Sequence, residues 1–275
     1  MTTEALRLNR ANWDARARLH GQDRYYDTAA LVAGASSLTE VELDALRRSV
    51  GDVSGLEVCH MQCHIGFGSI SLARAGARVT GVDFSPVSLA KAADLASRCQ
   101  VELSLVEADA CDPPSSLSGR FDLVYATIGV LCWIEDLGSW MGAVARLLRP
   151  GGHLVLVDFH PLVTMIDTLE PLVFDFPYNF DGPHRFDQDG SYTDRSAHLE
   201  ATTTVQYAHG MGEIVTRAIS AGLQVTYLEE RTASPYDPRG SQAPDVDDLY
   251  RVRLSGQLVP HLYTLLARKP PNPAS

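Results

Sequence analysis

No apolar run in the chain approaches the roughly 20 residues that cross a bilayer, so neither a channel nor a membrane-spanning enzyme is expected. The opening residues, Met-Thr-Thr-Glu-Ala-Leu-Arg, are polar and carry no signal-peptide core. Cysteine is scarce and odd in number: Cys59, Cys63, Cys99, Cys111 and Cys132 lie mostly in apolar segments. That pattern does not fit a disulfide framework and predicts reduced thiols in a cytoplasmic protein. Basic charge is in the minority, with 23 Lys and Arg against 34 Asp and Glu and a net charge of -11. Broad nucleic-acid binding relies on cations that neutralise phosphates, so no nucleic-acid partner is expected. A phosphate-binding Gly-Lys-Ser/Thr loop, a Ser-His-Asp arrangement and internal repeats are also missing. What remains is an ordinary globular composition, 45% hydrophobic and 21% charged over 275 residues. That length holds one large domain with a sizeable insertion, acting as a monomer or homodimer on a small molecule.

The most informative stretch is residues 56–68, Leu-Glu-Val-Cys-His-Met-Gln-Cys-His-Ile-Gly-Phe-Gly. An apolar strand runs into a turn holding Gly66 and Gly68, and a helical pattern follows at once. Residues 78–84 read as a second strand ending in Asp83. Glycines let a backbone approach a ligand, and an acid after the second strand accepts from ribose hydroxyls, as in a nucleotide-binding βαβ unit. Ser85 followed by Pro86 supplies an N-cap and a proline at the first helical position, predicting a helix over 87–98. A third strand over 101–107 leads into Asp109 and Ala110, and a fourth covers 121–127. A helix over 137–148 is stopped by Arg-Pro-Gly-Gly at 149–152, and a fifth strand spans 153–159.

These residues together resemble the class I S-adenosylmethionine-dependent methyltransferases. In that family an acid usually stands two positions before a Gly-x-Gly-x-Gly turn. Here the corresponding residues are His60, Gln62, His64 and Gly66, and only the last glycine matches. The run Met-Gln-Cys-His-Ile-Gly at 61–66 is similar to a Leu-Gln-Cys-His-Phe-Gly variant carried by a bacterial subgroup. The Phe-Asp-Leu-Val start at 121 and the Leu-Arg-Pro-Gly-Gly junction at 148 are further family traits. The resemblance implies an α/β fold: a Rossmann-like, doubly wound, mostly parallel seven-stranded sheet with an antiparallel final hairpin. It implies S-adenosyl-L-methionine as cofactor, with Gln62, His64 and Gly66 at its methionine end. Asp83 would take the ribose, flanked by Phe84 and Ser85. Asp109 would take the adenine amino group beside Ala110, and Thr127 would close the fourth strand where donor and acceptor meet.

The flanking segments add a lid and a cap. Residues 1–50 form a helical lid, whose first helix carries Arg7, Arg10, Arg16, Arg18 and Arg24 among Leu8, Trp13, Ala17 and Leu19. The arginines read as a solvated face, with Trp13 and Leu19 packing inward. Trp13, Tyr25 and Tyr26 are candidates to cover the acceptor, and Thr39 with Glu42 forms a capping box. Residues 51–159 and 207–269 make the core, and residues 270–275 a tail. Residues 160–206 are too long for a simple connection. They hold Phe174, Phe176, Tyr178, Phe180 and Phe186, which need burial, and so read as an inserted cap over the acceptor. A helix over 212–222, a strand over 223–228, a Pro- and acid-rich loop over 232–248 and a last strand over 262–268 complete the chain.

The chemistry follows from that placement. A methyl on a sulfonium is already activated, so the protein must chiefly supply proximity and a deprotonated nucleophile. His160, His209 and Tyr192 are the catalytic candidates, against plain readings as loop or packing residues. Trp13, Tyr25, Tyr26, Trp133, Tyr192 and Tyr207 are the acceptor-binding candidates. Cys59, His60, Cys63 and His64 invite a metal reading, but strand alternation sends them to opposite faces and no downstream pair completes a site. No metal is expected. The expected function is methyl transfer to a nitrogen or oxygen of a small organic acceptor, such as a natural-product intermediate. The acids Asp175, Asp181, Asp187, Asp189 and Asp194 lean it toward an amine. The rivals are an NAD-binding oxidoreductase, which would use the same βαβ unit, and a non-catalytic binding protein of the methyltransferase fold.

Overall fold

Short runs of Val, Leu and Tyr, each closed by a turn residue, form the strands at the centre of the molecule. The structure, a computed structural model, describes residues 3–21, 23, 25–237 and 244–272. Arg24, residues 238–243 of the acid-rich loop and residues 273–275 of the tail lie outside the described residues. Helices α1 (Thr3–Leu19), α2 (Thr28–Val32) and α3 (Glu40–Ser49) precede strand β1 (Glu57–Met61). There follow α4 (Phe67–Arg74), β2 (Arg78–Asp83), α5 (Pro86–Arg98), β3 (Leu103–Glu107) and β4 (Phe121–Thr127). Next come α6 (Leu137–Leu147), β5 (Leu148–Phe159) and α7 (Pro161–Thr164). Two hairpins make the cap, β6 (Ile166–Leu169) with β7 (Leu172–Phe174) and β8 (His184–Asp187) with β9 (Thr203–Gln206). Helix α8 (Met211–Ser220) and β10 (Gln224–Arg231) return to the core. Two small ladders, β11 (Ala233–Ser234) on β12 (Tyr250–Arg251) and β13 (Arg253–Leu254) on β14 (Gln257–Leu258), precede β15 (Leu262–Arg268).

The main sheet has seven strands in the order β10-β15-β5-β4-β1-β2-β3. Strands β1 to β5 pair in parallel, and β15 runs antiparallel to both β5 and β10. This is the expected Rossmann-like sheet with an antiparallel end. Strand order reverses between β1 and β4, so a crevice opens there at the carboxyl ends. Side chains alternate across the sheet: Leu123, Tyr125, Val155 and Val157 meet α3 and α4, while Val124, Ala126, Leu154 and Leu156 meet α6 and α8. Burying a side chain such as Leu156 contributes about 1.5–3 kcal/mol, and this two-sided core holds the crevice rigid.

Three features differ from the expectation, each for a local reason. The segment 1–50 divides, because Val41, Ala45 and Leu46 give α3 an apolar face that packs on the sheet. Trp13 and Arg16 of α1 and the following Tyr25 and Tyr26 line the crevice, and no residue of α2 does. Leu19 is 38% exposed, and the buried apolar positions of α1 are the small residues Ala5, Ala15 and Ala17. The fifth strand begins at Leu148, since β4 and β5 keep pairing across an irregularity between Phe121 and Leu123. Gly152 is required there: a Cβ would lie 2.9 Å from the Phe121 carbonyl oxygen. Asp122 anchors the same junction, accepting from Glu57 N at 2.9 Å and pairing with Arg149.

Lid and cap are stitched to one another. The buried Asn9 amide donates to Val205 O at 2.8 Å and accepts from Val205 N at 2.7 Å, and Asn12 donates to Ala201 O at 2.7 Å. Lys91 of α5 donates to the carbonyls of Ala17 and His20, which fixes the end of α1 to the core.

Candidate active site

The crevice between the strand ends and the lid and cap is a cavity of about 800 Å³. Its floor begins at the turn after β1. Gln62, His64 and Gly66 all take left-handed backbone angles, with φ of 55°, 49° and 80°. Non-glycine residues rarely do so, and each costs of order 1 kcal/mol unless its surroundings hold it. They are held here. Gln62 Nε2 donates to Val130 O at 2.9 Å, while its Oε1 accepts from Trp140 Nε1 at 3.1 Å. His64 N donates to Asp83 Oδ2 at 2.8 Å, and Asp83 Oδ1 accepts from Ser85 N at 2.9 Å. Burial, only partly offset by these N–H donors, raises the Asp83 pKa to about 6.

Two further carboxylates frame the floor. Asp158, at the end of β5, accepts from the backbone N–H of Gly129, Val130, Leu131 and Phe159 and so shapes the loop after β4. Glu42 completes the capping box with Thr39 and also accepts from Thr127 Oγ1 at 2.8 Å and from the Tyr125 hydroxyl. His60 is bonded to Ser69 Oγ at 2.8 Å, and burial lowers its pKa to about 4.

The roof is aromatic. Trp13 of α1 meets Trp133 edge-on at 5.3 Å and His64 at 5.0 Å, and Trp133 Nε1 donates to Gly129 O at 2.8 Å. The Tyr26 and Tyr192 hydroxyls are 2.6 Å apart, joining lid to cap. A polar chain crosses beside them: Ser88 Oγ to His64 Nδ1 at 3.0 Å, His64 Nε2 to His20 Nδ1 at 2.8 Å, and His20 Nε2 to Ser191 Oγ at 2.6 Å. Burial, with Arg16 and Lys91 nearby, lowers the His20 pKa to about 3, and His64 also falls well below the usual range. Both rings are therefore neutral near pH 7.

Comparison with known proteins agrees with this geometry. Residues 60–154 match the protein-family profile described as methyltransferase domain. A ubiquinone biosynthesis O-methyltransferase of Alkalilimnicola ehrlichii is 29% identical over 53% of this chain and 56% of its own length. One from Xanthomonas oryzae pv. oryzae is 32% identical over 49% of this chain and 55% of its own. The chain thus spans about half the length of the curated relatives it matches. A solved S-adenosylmethionine-dependent methyltransferase from Mesorhizobium loti superposes with a TM-score of 0.58 at 23% identity, over 86% of this chain and 99% of that one. Over residues 60–154 the chain carries a methyltransferase domain, and it is similar to the S-adenosylmethionine-dependent methyltransferases in fold.

The residues present fit that family's cofactor. The turn puts Gln62, His64 and Gly66 in left-handed backbone angles of the kind glycine favours, as a glycine-rich turn would. Asp83 and Asp109, at the ends of β2 and β3, both line the cavity, with Phe84 and Ala110 beside them. Asp109 also caps its own loop, accepting from Cys111 N at 2.9 Å. A volume of about 800 Å³ is enough for a nucleoside donor and a small acceptor together.

Most of the expected site residues line this one cavity, among them Gln62, His64, Gly66, Asp83, Phe84, Asp109, Ala110 and Thr127, which were expected at the cofactor. Trp13, Tyr25, Tyr26, Trp133, Tyr192 and Tyr207, expected at the acceptor, line it too. Two residues fall elsewhere. Ser85 is a buried N-cap that accepts from Ser88 N and donates to Asp14 Oδ1 at 2.5 Å. His160 caps α7 by accepting from Leu162 N, and its Nε2 lies 2.7 Å from Glu230 Oε1, away from the cavity. His209 reaches the wall but commits both nitrogens, to Ile134 O at 2.6 Å and Glu213 Oε2 at 3.0 Å. Neither histidine is placed as a base. No three His, Cys, Asp or Glu side chains converge as metal ligands among the described residues, and Cys59 packs into the apolar core.

Sequence reasoning missed Arg16, Glu42, Asp158, His184 and Tyr236, all on the cavity wall. Arg16 was legible in principle, since it lies three residues past Trp13 on the same helical face. Asp158 ends a strand as Asp83 does. Four of the five acids singled out in the cap are held by local partners. Asp189 accepts from Leu199 N at 2.7 Å and Asp194 from Ser196 N at 2.9 Å, while Asp181 and Asp187 pair with His184 and Thr202.

Proposed function

We propose that this chain transfers a methyl group from S-adenosyl-L-methionine to a hydroxyl oxygen of a small aromatic acceptor in the cytoplasm. The observation that carries the reading is the single cavity with a polar strand-end floor and an aromatic roof. The O-methyltransferase names of the curated relatives support oxygen over nitrogen. The cap acids, bound within their own loops, give no support to a cationic amine. The five cysteines are unpaired, as a reduced compartment would leave them. No helix of the described residues is long and apolar enough to cross a membrane.

When bound, S-adenosylmethionine supplies an electrophilic methyl on a positively charged sulfur. Asp83 accepts from the ribose hydroxyls with the lone pairs its two backbone donors leave free, and Asp109 faces the adenine. The turn at 62–66, pinned by Gln62 and by the His64–Asp83 bond, holds the methionine end against the loop that Asp158 shapes. Trp13, Trp133 and Tyr192 clamp a flat acceptor and exclude water. The acceptor hydroxyl must lose a proton, and His184 is the candidate to take it. Its ring lines the cavity, and Asp181 Oδ1 lies 2.7 Å from Nε2, which leaves Nδ1 for substrate.

Calorimetry with S-adenosylhomocysteine, followed by labelled methyl transfer to a panel of phenols and amines, tests this. Binding of the product analogue and transfer to phenols are expected. Transfer only to amines would replace oxygen with nitrogen, and binding without transfer to any compound would favour a non-catalytic binding role.

A further inference from the structure

Arg16 is a charged part of the roof whose chemistry the protein leaves incomplete. It is 9% exposed on the cavity wall, and its Nε is buried without a hydrogen-bond partner. Among the described residues no hydrogen bond or ion pair involves its guanidinium. Two other arginines of α1 behave differently: Arg10 pairs with Glu107, and Arg18 with Glu200, at the surface. The Arg16 guanidinium carbon instead sits 5.2 Å from the Trp13 ring, 5.6 Å from Tyr192 and 5.8 Å from Trp133.

Three aromatic faces offset part of the cost of burying the charge, but a ring face does not satisfy five directed N–H donors. A buried, unpaired cation is costly to keep and is ordinarily matched by an anion. Three carboxylates of the cavity floor are taken, Asp83 and Asp158 by backbone N–H groups and Glu42 by Thr39, Tyr125 and Thr127, and no carboxylate among the described residues forms an ion pair with Arg16. Arg195 of the cap lines the same cavity and adds a second positive charge, and burial holds the Arg16 pKa below the usual arginine range. The missing anion must therefore arrive with a ligand. The rings around Arg16 come from the lid, the cap and the loop after β4, and not from the strand ends proposed to hold the donor's nucleoside.

We propose that Arg16 binds a carboxylate of the methyl acceptor, which makes that acceptor an aromatic acid whose ring lies among Trp13, Trp133 and Tyr192. The inference rests on the methyl-transfer reading of the cavity. The donor's own amino-acid carboxylate is the rival source of the anion, and the test separates the two.

The test uses the full chain saturated with S-adenosylhomocysteine and titrates benzoate, benzyl alcohol and benzylamine in turn, read by quenching of tryptophan fluorescence. Benzoate should bind about tenfold or more tightly than either isostere, the scale of a charged hydrogen bond to guanidinium. Arg16→Gln should abolish that preference without moving the thermal midpoint, and Arg16→Lys should retain part of it. The proposal is overturned if wild type shows no preference for benzoate, or if the preference survives in Arg16→Gln. It is also overturned if Arg16→Gln weakens S-adenosylhomocysteine while sparing 5′-methylthioadenosine, which lacks the amino-acid carboxylate. Should Arg16→Gln not fold, partial loss of the preference in Arg16→Lys supports the proposal and an unchanged preference overturns it. A wild-type chain that does not bind S-adenosylhomocysteine overturns the methyl-transfer reading, and this inference with it.

Discussion

The floor and the roof of the cavity are built on opposite principles. On the floor, Asp83, Asp158 and Glu42 are each held by several donors, chiefly backbone N–H groups and neighbouring hydroxyls, and every one sits at a strand end or helix cap. On the roof, contacts run between side chains of distant segments: Tyr26 to Tyr192, His64 to His20, His20 to Ser191, and Arg16 against three rings. Backbone-held groups are fixed by the fold itself. A roof made of side-chain contacts can be changed without touching the sheet, so a family can keep one donor site and vary the acceptor.

Changes to the floor should be the more damaging. Asp158→Ala strands the N–H groups of Gly129, Val130 and Leu131, and should cost roughly 3 kcal/mol of stability along with donor binding. A chemical denaturation series in urea checks it, and an unchanged midpoint would mean that water replaces the carboxylate.

Asp83→Asn should weaken S-adenosylhomocysteine by roughly 1–3 kcal/mol while leaving the acceptor's KM nearly unmoved. Calorimetry of that variant breaks the comparison if donor affinity is retained.

Acid should loosen the roof before the floor. His20 and His64 are neutral in the folded chain, with pKa values pushed below the usual 6.5, so the unfolded chain takes up protons first as pH falls. Their contribution is complete above pH 6.5 and is lost as pH drops toward about 3 for His20. Between pH 7.5 and 5.5 each should cost the folded state about 1.4 kcal/mol. Asp83, raised to about 6, works in the opposite direction over part of that range. Thermal melts of wild type and His20→Gln at both pH values measure the difference, and equal pH dependence in the two would remove His20 from the account.

The mildest change is Tyr192→Phe. It deletes one hydroxyl from the Tyr26 pair and should raise the acceptor's KM by severalfold, about 1 kcal/mol, with donor affinity kept. Parallel loss of both affinities would make Tyr192 a packing residue only.

The same division explains what could be read in the sequence. Strand ends, caps and turns are local, and so β1 to β5, the acid Asp83, the capping box at Thr39 and the helix start at Ser85 were legible from spacing, while Asp109 was picked out only through the family resemblance. The turn at 62–66 was legible only through its resemblance to a family, because Gln62 and His64 take a glycine's backbone angles through tertiary contacts. Contacts over long separations left no local mark. Arg16 looked like its solvated neighbours until the cap folded over it, and His160 looked catalytic until Glu230, 70 residues away, took its ring. The cap acids misled for a related reason: Asp181, Asp187, Asp189 and Asp194 are bound by neighbouring groups within the cap, which charge counting ignores.

The central claim is that donor and acceptor occupy one cavity, the first held by the floor and the second by the roof. Crystallising the chain with S-adenosylhomocysteine and an aromatic acid tests it most directly. The account predicts ribose on Asp83, adenine by Asp109, and the acid's ring among Trp13, Trp133 and Tyr192. A nucleoside bound elsewhere, or a roof that stays closed over the floor with both ligands excluded, would contradict it.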